Sequence, residues 1–285
     1  MTLLAAHLND AGLLFTDGER ILCREPGFAL LEDDGLVTGR EAWAAASLKP
    51  RRINKSYWSE LTTAPLVDLR FKHLSAADLV TEQLETLWNR VAKPGDQLAV
   101  AVPSYMGNDN LGLFLGIAAE LDIPVVAMVD AAIAATRREY AGAVPVHIDL
   151  SLRTAMLTRI AQDGNAQFER AVVVDEAGML DLYDTWLRVI AEAFVQQSRF
   201  DPLHTAETEQ ALQDSILDWL GTAATRKSVP MEIEYRGISH RAELDSIEFV
   251  SAATSVYQNI VSNLRALYRA GDMPALQLSD RAARM

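Results

Sequence analysis

In the run from Val144 to Leu150, VPVHIDL, His147 and Asp149 stand two residues apart. A strand there places both on one face, where an imidazole and a carboxylate can share a proton or balance charge. They form either a polar pair in a cleft or a half-exposed strand pair. Ser104, in VPSYMG, follows an apolar run at the site of a strand-to-helix nucleophile, but it lacks the flanking glycines of such an elbow, so hydrolase chemistry has little support. The five histidines, His7, His73, His147, His204 and His240, contain no pair at helical ligand spacing, and a metal centre is not expected. Arg51, Arg52 and Lys55 with Tyr57 and Trp58 form the one basic and aromatic cluster. Arginine and large aromatics are the residues of interface hot spots, so Arg51, Arg52, Tyr57 and Trp58 are a candidate protein-partner surface. The other reading is a solvated loop tucked onto the body by its aromatics.

The chain has 285 residues, about half of them apolar, and a formal charge of −13. That is enough apolar material for one large domain or two moderate ones. The negative field disfavours nucleic acid and anionic membrane as main partners. The lone Cys23 allows no internal disulfide and reads as a buried apolar residue, consistent with a reducing compartment. The start, MTLLAAHLNDAG, lacks a basic leader region, and no apolar run nears the ~20 residues of a membrane span. A cytoplasmic location is the expectation.

The elements that must position these residues follow from turns and periodicity. Apolar runs broken by Asp17-Gly18 and by Asp33-Asp34-Gly35 predict an antiparallel meander over the first forty residues. Arg40 to Leu48 predicts a short helix, and Ser75 to Asp78 opens another that ends near Lys93-Pro94-Gly95. QLAVAVP, a helix from Asn110 to Leu121, and IPVVAMV predict a parallel crossover pair. A helix is expected from Asp130 to Tyr140. From Val144 the pattern restarts with a second meander turning at Asp163-Gly164-Asn165. Helices over Leu180 to Gln197 and Glu207 to Leu220, a hairpin at Arg236-Gly237, a long helix from Glu243 to Tyr268 and a strand at MPALQL complete the prediction.

This order of elements, with the strings VPSYMGNDN, GIAAELDIPVVAMVDAAIAA, VHIDLSLRTAMLT and ISHRAELDSIEFV, resembles the nucleotide-binding domain of the 70-kDa heat-shock chaperones, in the actin superfamily. The resemblance runs thinly from about Leu3 to Leu278. It implies an α/β, actin-like (ribonuclease H-like) two-lobed ATPase fold, with a first lobe over 1–143 and a second over 144–285. A helical and hairpin subdomain would lie at about 180–268. The family's adenosine motif would fall near Leu278 to Arg284, so the second lobe reads as truncated, in nature or because the chain is a fragment, and the chaperone peptide-binding domain is not represented.

In that family two glycine-rich turns, one per lobe, offer backbone amides to the phosphates. The first would fall on His7-Leu8-Asn9-Asp10-Ala11 followed by Gly12, with His7 replacing a metal-orienting carboxylate and Asp10 adding negative charge. The second falls on Asp149-Leu150-Ser151-Leu152-Arg153-Thr154, which keeps Asp149 and Thr154 and replaces three glycines. Met128 stands for a glutamate ahead of Asp130, and the adenine-side positions become Leu217, Asp218 and Gly221. Lys55 is the candidate for the family lysine. Phosphoryl transfer depends on such positioning and charge, so the resemblance implies a degenerate pseudo-ATPase, with no cofactor, serving as a scaffold, assembly or chaperone-like factor. The alternative is a divergent ATP-binding protein with weak or regulatory ATPase activity. It would hold ATP or ADP with Mg through Asp10, Gly12, Lys55, Asp130, Asp149 and Thr154. A sugar or acid kinase of the same superfamily lacks a recognisable aspartate loop.

Overall fold

Apolar alternation broken by tight turns builds the first sheet. β1 (Leu3–His7), β2 (Leu13–Thr16) and β3 (Ile21–Glu25) pair antiparallel in sequence order. The β2–β3 turn closes through Gly18 at φ +92°, a conformation glycine reaches without Cβ strain. The computed structural model describes residues 2–33 and 35–285, so the expected Asp34 turn position lies outside the described residues. β4 (Ala29–Leu31) and β5 (Leu36–Thr38) form a hairpin, followed by α1 (Arg40–Trp43) and by β6 (Ile53–Asn54), which pairs with β4. α2 (Ala76–Val91) starts in a full capping box between Ser75 and Asp78. β7 (Gln97–Val102) then joins β1 in parallel, and after α3 (Asn108–Glu120) β8 (Val125–Asp130) joins β7 in parallel. The sheet order is β3-β2-β1-β7-β8.

α4 (Ala131–Ala135) leads to the second meander, β9 (Val144–Leu150), β10 (Thr154–Asp163) and β11 (Asn165–Asp175). α5 (Met179–Ser198), α6 (Ala206–Ala223), the hairpin of β12 (Ser228–Tyr235) and β13 (Ile238–Asp245), and α7 (Ser246–Ala252) and α8 (Thr254–Leu267) follow. β14 (Pro274–Leu278) returns to pair in parallel with β9, giving the order β11-β10-β9-β14. Among the described residues this is a mixed α/β protein of four sheets and eight α-helices. No helix among them is long and apolar enough to cross a membrane.

Two large buried clusters carry the packing. One gathers Leu4, Leu13, Phe15, Leu79, Leu84, Leu98 and Phe114, and the other Val146, Leu157, Leu182, Trp186, Phe194 and Trp219. A smaller cluster of Phe28, Leu30 and Ala42 with Leu152 joins them, with Trp43 packed edge-on against Phe28 and Tyr183.

Three expected helices differ. The long one from Glu243 to Tyr268 is strand to Asp245 and then two helices broken at Ala253. The indole N–H of Trp186 donates to the Phe249 carbonyl at 3.0 Å, competing with the Ala253 amide, which reaches it only at 3.4 Å. The helix expected from Asp130 to Tyr140 stops at Ala135, where Thr136 turns extended and its hydroxyl donates to the Ala132 carbonyl at 2.8 Å; further on the Tyr140 amide donates to the Gln162 side chain at 3.0 Å. The one expected over Arg40 to Leu48 is α-helical only to Trp43. Beyond it the Ser47 amide donates to the Gln210 side chain at 2.9 Å.

Candidate functional site

The turn after β1 and the turn between β9 and β10 meet face to face, and the contact is made by side chains. Asn9 donates from Nδ2 to Asp149 Oδ2 at 2.7 Å and to the Leu150 carbonyl at 3.0 Å. In return Asp10 Oδ1 accepts the Leu152 amide at 2.8 Å. Asp10 is 1% exposed, and its other oxygen has no hydrogen-bond partner among the described residues. Burial pushes its pKa up to about 6 against the pull of the Leu152 amide and Arg281.

Arg281 closes the arrangement. Its side chain is 14% exposed, and it donates to the Leu150 carbonyl at 2.9 Å, to the Gly12 carbonyl at 3.2 Å and to Asp149 Oδ1 at 3.3 Å. One guanidinium thus ties the turn after β14 to both of these turns. Burial raises the pKa of Asp149, but Arg281 and His7 outweigh it and hold the carboxyl below its ordinary value. A Cβ at Gly12 would sit 3.0 Å from the Arg281 guanidinium, tighter than an ordinary contact, so a side chain there would have to shift the guanidinium. His7 Nε2 lies 3.4 Å from Asp149 Oδ2, and burial holds the imidazole below its usual pKa, hence neutral near pH 7. His147 and Asp149 are both buried, at 4% and 3% exposed, so the half-exposed reading of that pair is corrected.

Several backbone amides of the two turns are taken up internally, while those of Asn9, Asp10 and Arg153 donate to no group among the described residues. Besides Leu152, the Ala11 amide goes to Asn9 Oδ1 (2.9 Å) and the Gly12 amide to the Asn9 carbonyl (2.8 Å). The Ser151 amide goes to the Thr154 carbonyl (2.9 Å) and the Thr154 amide to Ser151 Oγ (3.0 Å). The second turn is also backed by the start of α5, whose Met179 and Leu180 amides donate to the carbonyls of Ser151 and Leu152, both at 2.9 Å. Gly178 makes that approach possible, because a Cβ there would lie 2.4 Å from the Arg153 carbonyl carbon. Gly178→Ala must therefore push the turn away from α5 and is expected to cost about 1–3 kcal/mol. Urea unfolding measures it, and a midpoint equal to the parent's would refute the contact.

The remaining expected residues are dispersed. Lys55 and Thr154 line one cavity of about 520 Å³ with Arg153, Asp181 and Asp184. Burial, and then Arg153, lower the Lys55 pKa. Gly12 lines another, of about 460 Å³, with Arg24, Trp43, Tyr183 and Leu217. Asp130 caps α4 through the Ala132 amide and accepts Ser104 Oγ at 2.5 Å. Ser104 also meets Thr158 Oγ1 at 3.1 Å and has no imidazole beside it in these contacts. Met128 packs into the first core, while Leu217, Asp218 and Gly221 sit on an exposed stretch of α6. Among the described residues no group of three or more His, Cys, Asp or Glu side chains has metal-holding geometry.

Tyr57 and Trp58 are not surface residues: they are 1% and 2% exposed. Gln83 Oε1 on α2 accepts both the Tyr57 hydroxyl, at 2.6 Å, and the Trp58 indole N–H, at 2.7 Å, so their polar tips are satisfied inside. The proposed partner surface loses those two aromatics and keeps exposed Arg51 and half-buried Arg52, the latter ion-paired with Glu32 and Asp33. Two functional residues were not singled out from the sequence, Asn9 and Arg281. Asn9 lies inside the quoted first turn, and an amide side chain at a turn is a signal for backbone mimicry. Arg281 falls within Leu278 to Arg284, where the resemblance places the adenosine motif, but no residue pattern singles it out there.

The chain matches no protein-family model, and no curated protein is significantly similar to it.

Proposed function

We propose that the chain is an actin-like, two-lobed relative of the 70-kDa heat-shock chaperone ATPases whose nucleotide site has been replaced by an internal ionic clamp. It works as a non-catalytic scaffold or assembly factor for protein partners. The observation that carries this reading is the Asp10 carboxylate standing where the amides of the second turn would receive a phosphate, with Arg281 neutralising the pair from behind. A triphosphate and its metal do not fit this donor set. The amides of Ala11, Gly12, Ser151, Leu152 and Thr154 are engaged within the protein, a second carboxylate faces the position, and Lys55 and Thr154 open into a different cavity from Gly12. The two sheets support the ancestry, because each is a three-strand antiparallel meander whose first strand pairs in parallel with a later one.

The rival reading, a divergent ATP-binding protein, draws on the cavity of about 460 Å³ beside Gly12, with Trp43 and Tyr183 in its wall. Thermal unfolding with ATP, ADP and Mg²⁺ separates the two. A ligand bound only to the folded chain at a hundred times its Kd adds about 2.7 kcal/mol of stability. The clamp predicts no change in midpoint at millimolar nucleotide, whereas a rise of several degrees would favour the rival.

A further inference from the structure

In an acidic chain, one stretch has the opposite character. From Lys49 to Lys72 there are six Lys or Arg residues against two acidic ones, while the whole chain carries −13. Within this stretch Val67 is 98% exposed and Leu69 81%, the two most exposed large aliphatics among the described residues. A single exposed aliphatic needs no explanation. These two sit side by side on a loop that is firmly built. Its neck is closed by the Leu66 amide on the Leu74 carbonyl at 2.8 Å and by a bridge between Pro65 and Ser75. Asp68 caps the turn by accepting the Arg70 amide at 3.0 Å, and Phe71, 2% exposed, anchors the loop in the first core. Arg70 lies 5.4 Å from the Phe71 ring centroid, donates to the Arg51 carbonyl at 2.9 Å and is ion-paired with Asp68 at 2.6 Å, which leaves Arg51 and Lys72 as the loop's exposed cations without an ion pair among the described residues. None of these contacts uses the Val67 or Leu69 side chain.

We propose that this loop is a docking knob. Val67 and Leu69 pack onto the apolar face of an amphipathic helix of a protein partner, whose acidic flank faces Arg51 and Lys72. Burial of the two aliphatics supplies the apolar driving force, and a preformed loop loses little entropy on binding. The exposed cations supply steering and register more than affinity. Charge complementarity with the exposed Arg51 and Lys72 selects an acidic partner, and the vesicle measurement separates a protein from an anionic bilayer. The inference supplies the partner surface that the scaffold reading needs. It involves no nucleotide, so its failure would leave the clamp intact.

The probe is a fluorescent amphipathic 18-residue peptide with Leu and Phe on one helical face and Glu on the other. A Lys-for-Glu counterpart and phosphatidylserine/phosphatidylcholine vesicles are measured in parallel. The full chain is expected to bind the acidic peptide saturably, more weakly as salt rises, and to ignore the basic one. Val67→Asp with Leu69→Asp is expected to weaken binding at least tenfold with an unchanged melting midpoint, and Arg51→Glu with Lys72→Glu to weaken it in low salt. Absence of saturable binding to the acidic peptide, equal binding by the Val67/Leu69 variant, or a lowered midpoint in that variant each overturns the proposal. So does vesicle binding that the same variant abolishes, which would assign the loop to membrane.

Discussion

Replacing Arg281 by methionine is expected to remove about 3–5 kcal/mol of stability, the cost of stripping one partner from a buried ion pair. The loss comes from what is left behind. Asp149 is 3% exposed and would keep Asn9, its own Leu150 amide, Ser279 and the neighbouring imidazoles but no cation of fixed charge, while the carbonyls of Gly12 and Leu150 would lose a donor. Without the guanidinium the Asp149 pKa rises from its parent value. The folded variant then holds its proton more tightly than the folded parent does, so its deficit should grow as pH rises and shrink as pH falls. Urea unfolding of parent and variant at pH 5 and pH 8 measures both features. Arg281→Lys, which keeps the charge but cannot reach three acceptors together, should fall between them. A loss under about 1 kcal/mol, the range of an exposed pair, would mean that Arg281 does not bridge the turns.

Asp10→Asn is expected to act in the opposite sense, with a difference that depends on pH. The unfolded carboxyl titrates at 3.8 and the folded one at about 6, held up chiefly by burial. As pH rises through that window, the unfolded state releases its proton first, and the parent loses stability that it does not recover at higher pH. At 1.36 kcal/mol per pKa unit the loss is about 3 kcal/mol by pH 7. Asparagine stays neutral, and its oxygen still accepts the Leu152 amide. The stability of the variant relative to the parent should therefore climb by about that amount between pH 4 and pH 7. His7, His147 and Asp149 titrate in both proteins and largely cancel from the difference. A difference independent of pH would show that Asp10 is ionised at its ordinary pKa and solvated.

What could be read in the sequence followed from interactions local in the chain. The Asp17-Gly18, Asp163-Gly164 and Arg236-Gly237 turns announce their hairpins, and the Ser75 and Asp78 spacing announces the start of α2. The first turn, His7 to Gly12, and the second, Asp149 to Thr154, were legible as the places to look. Their contents were legible only as losses, missing glycines and added carboxylates. That Asp10 would serve as the anion for the Leu152 amide depends on a pairing 142 residues away. Arg281 reaches Asp149 across 132 residues, and nothing about an arginine after MPALQLSD marks it as a bridge. Tyr57 and Trp58 misled for the same reason: their partner, Gln83, lies a helix away, and aromatic residues beside arginines look alike whether they are to be buried or presented.

The central claim is that the space between the two turns already holds its own anion and cation. A calorimetric titration of Mg-ATP into the chain at neutral pH and low salt tests it most directly. The clamp predicts heats of dilution alone up to millimolar nucleotide. A saturable one-to-one isotherm with a Kd in the micromolar range, about −8 kcal/mol of binding free energy, would contradict it.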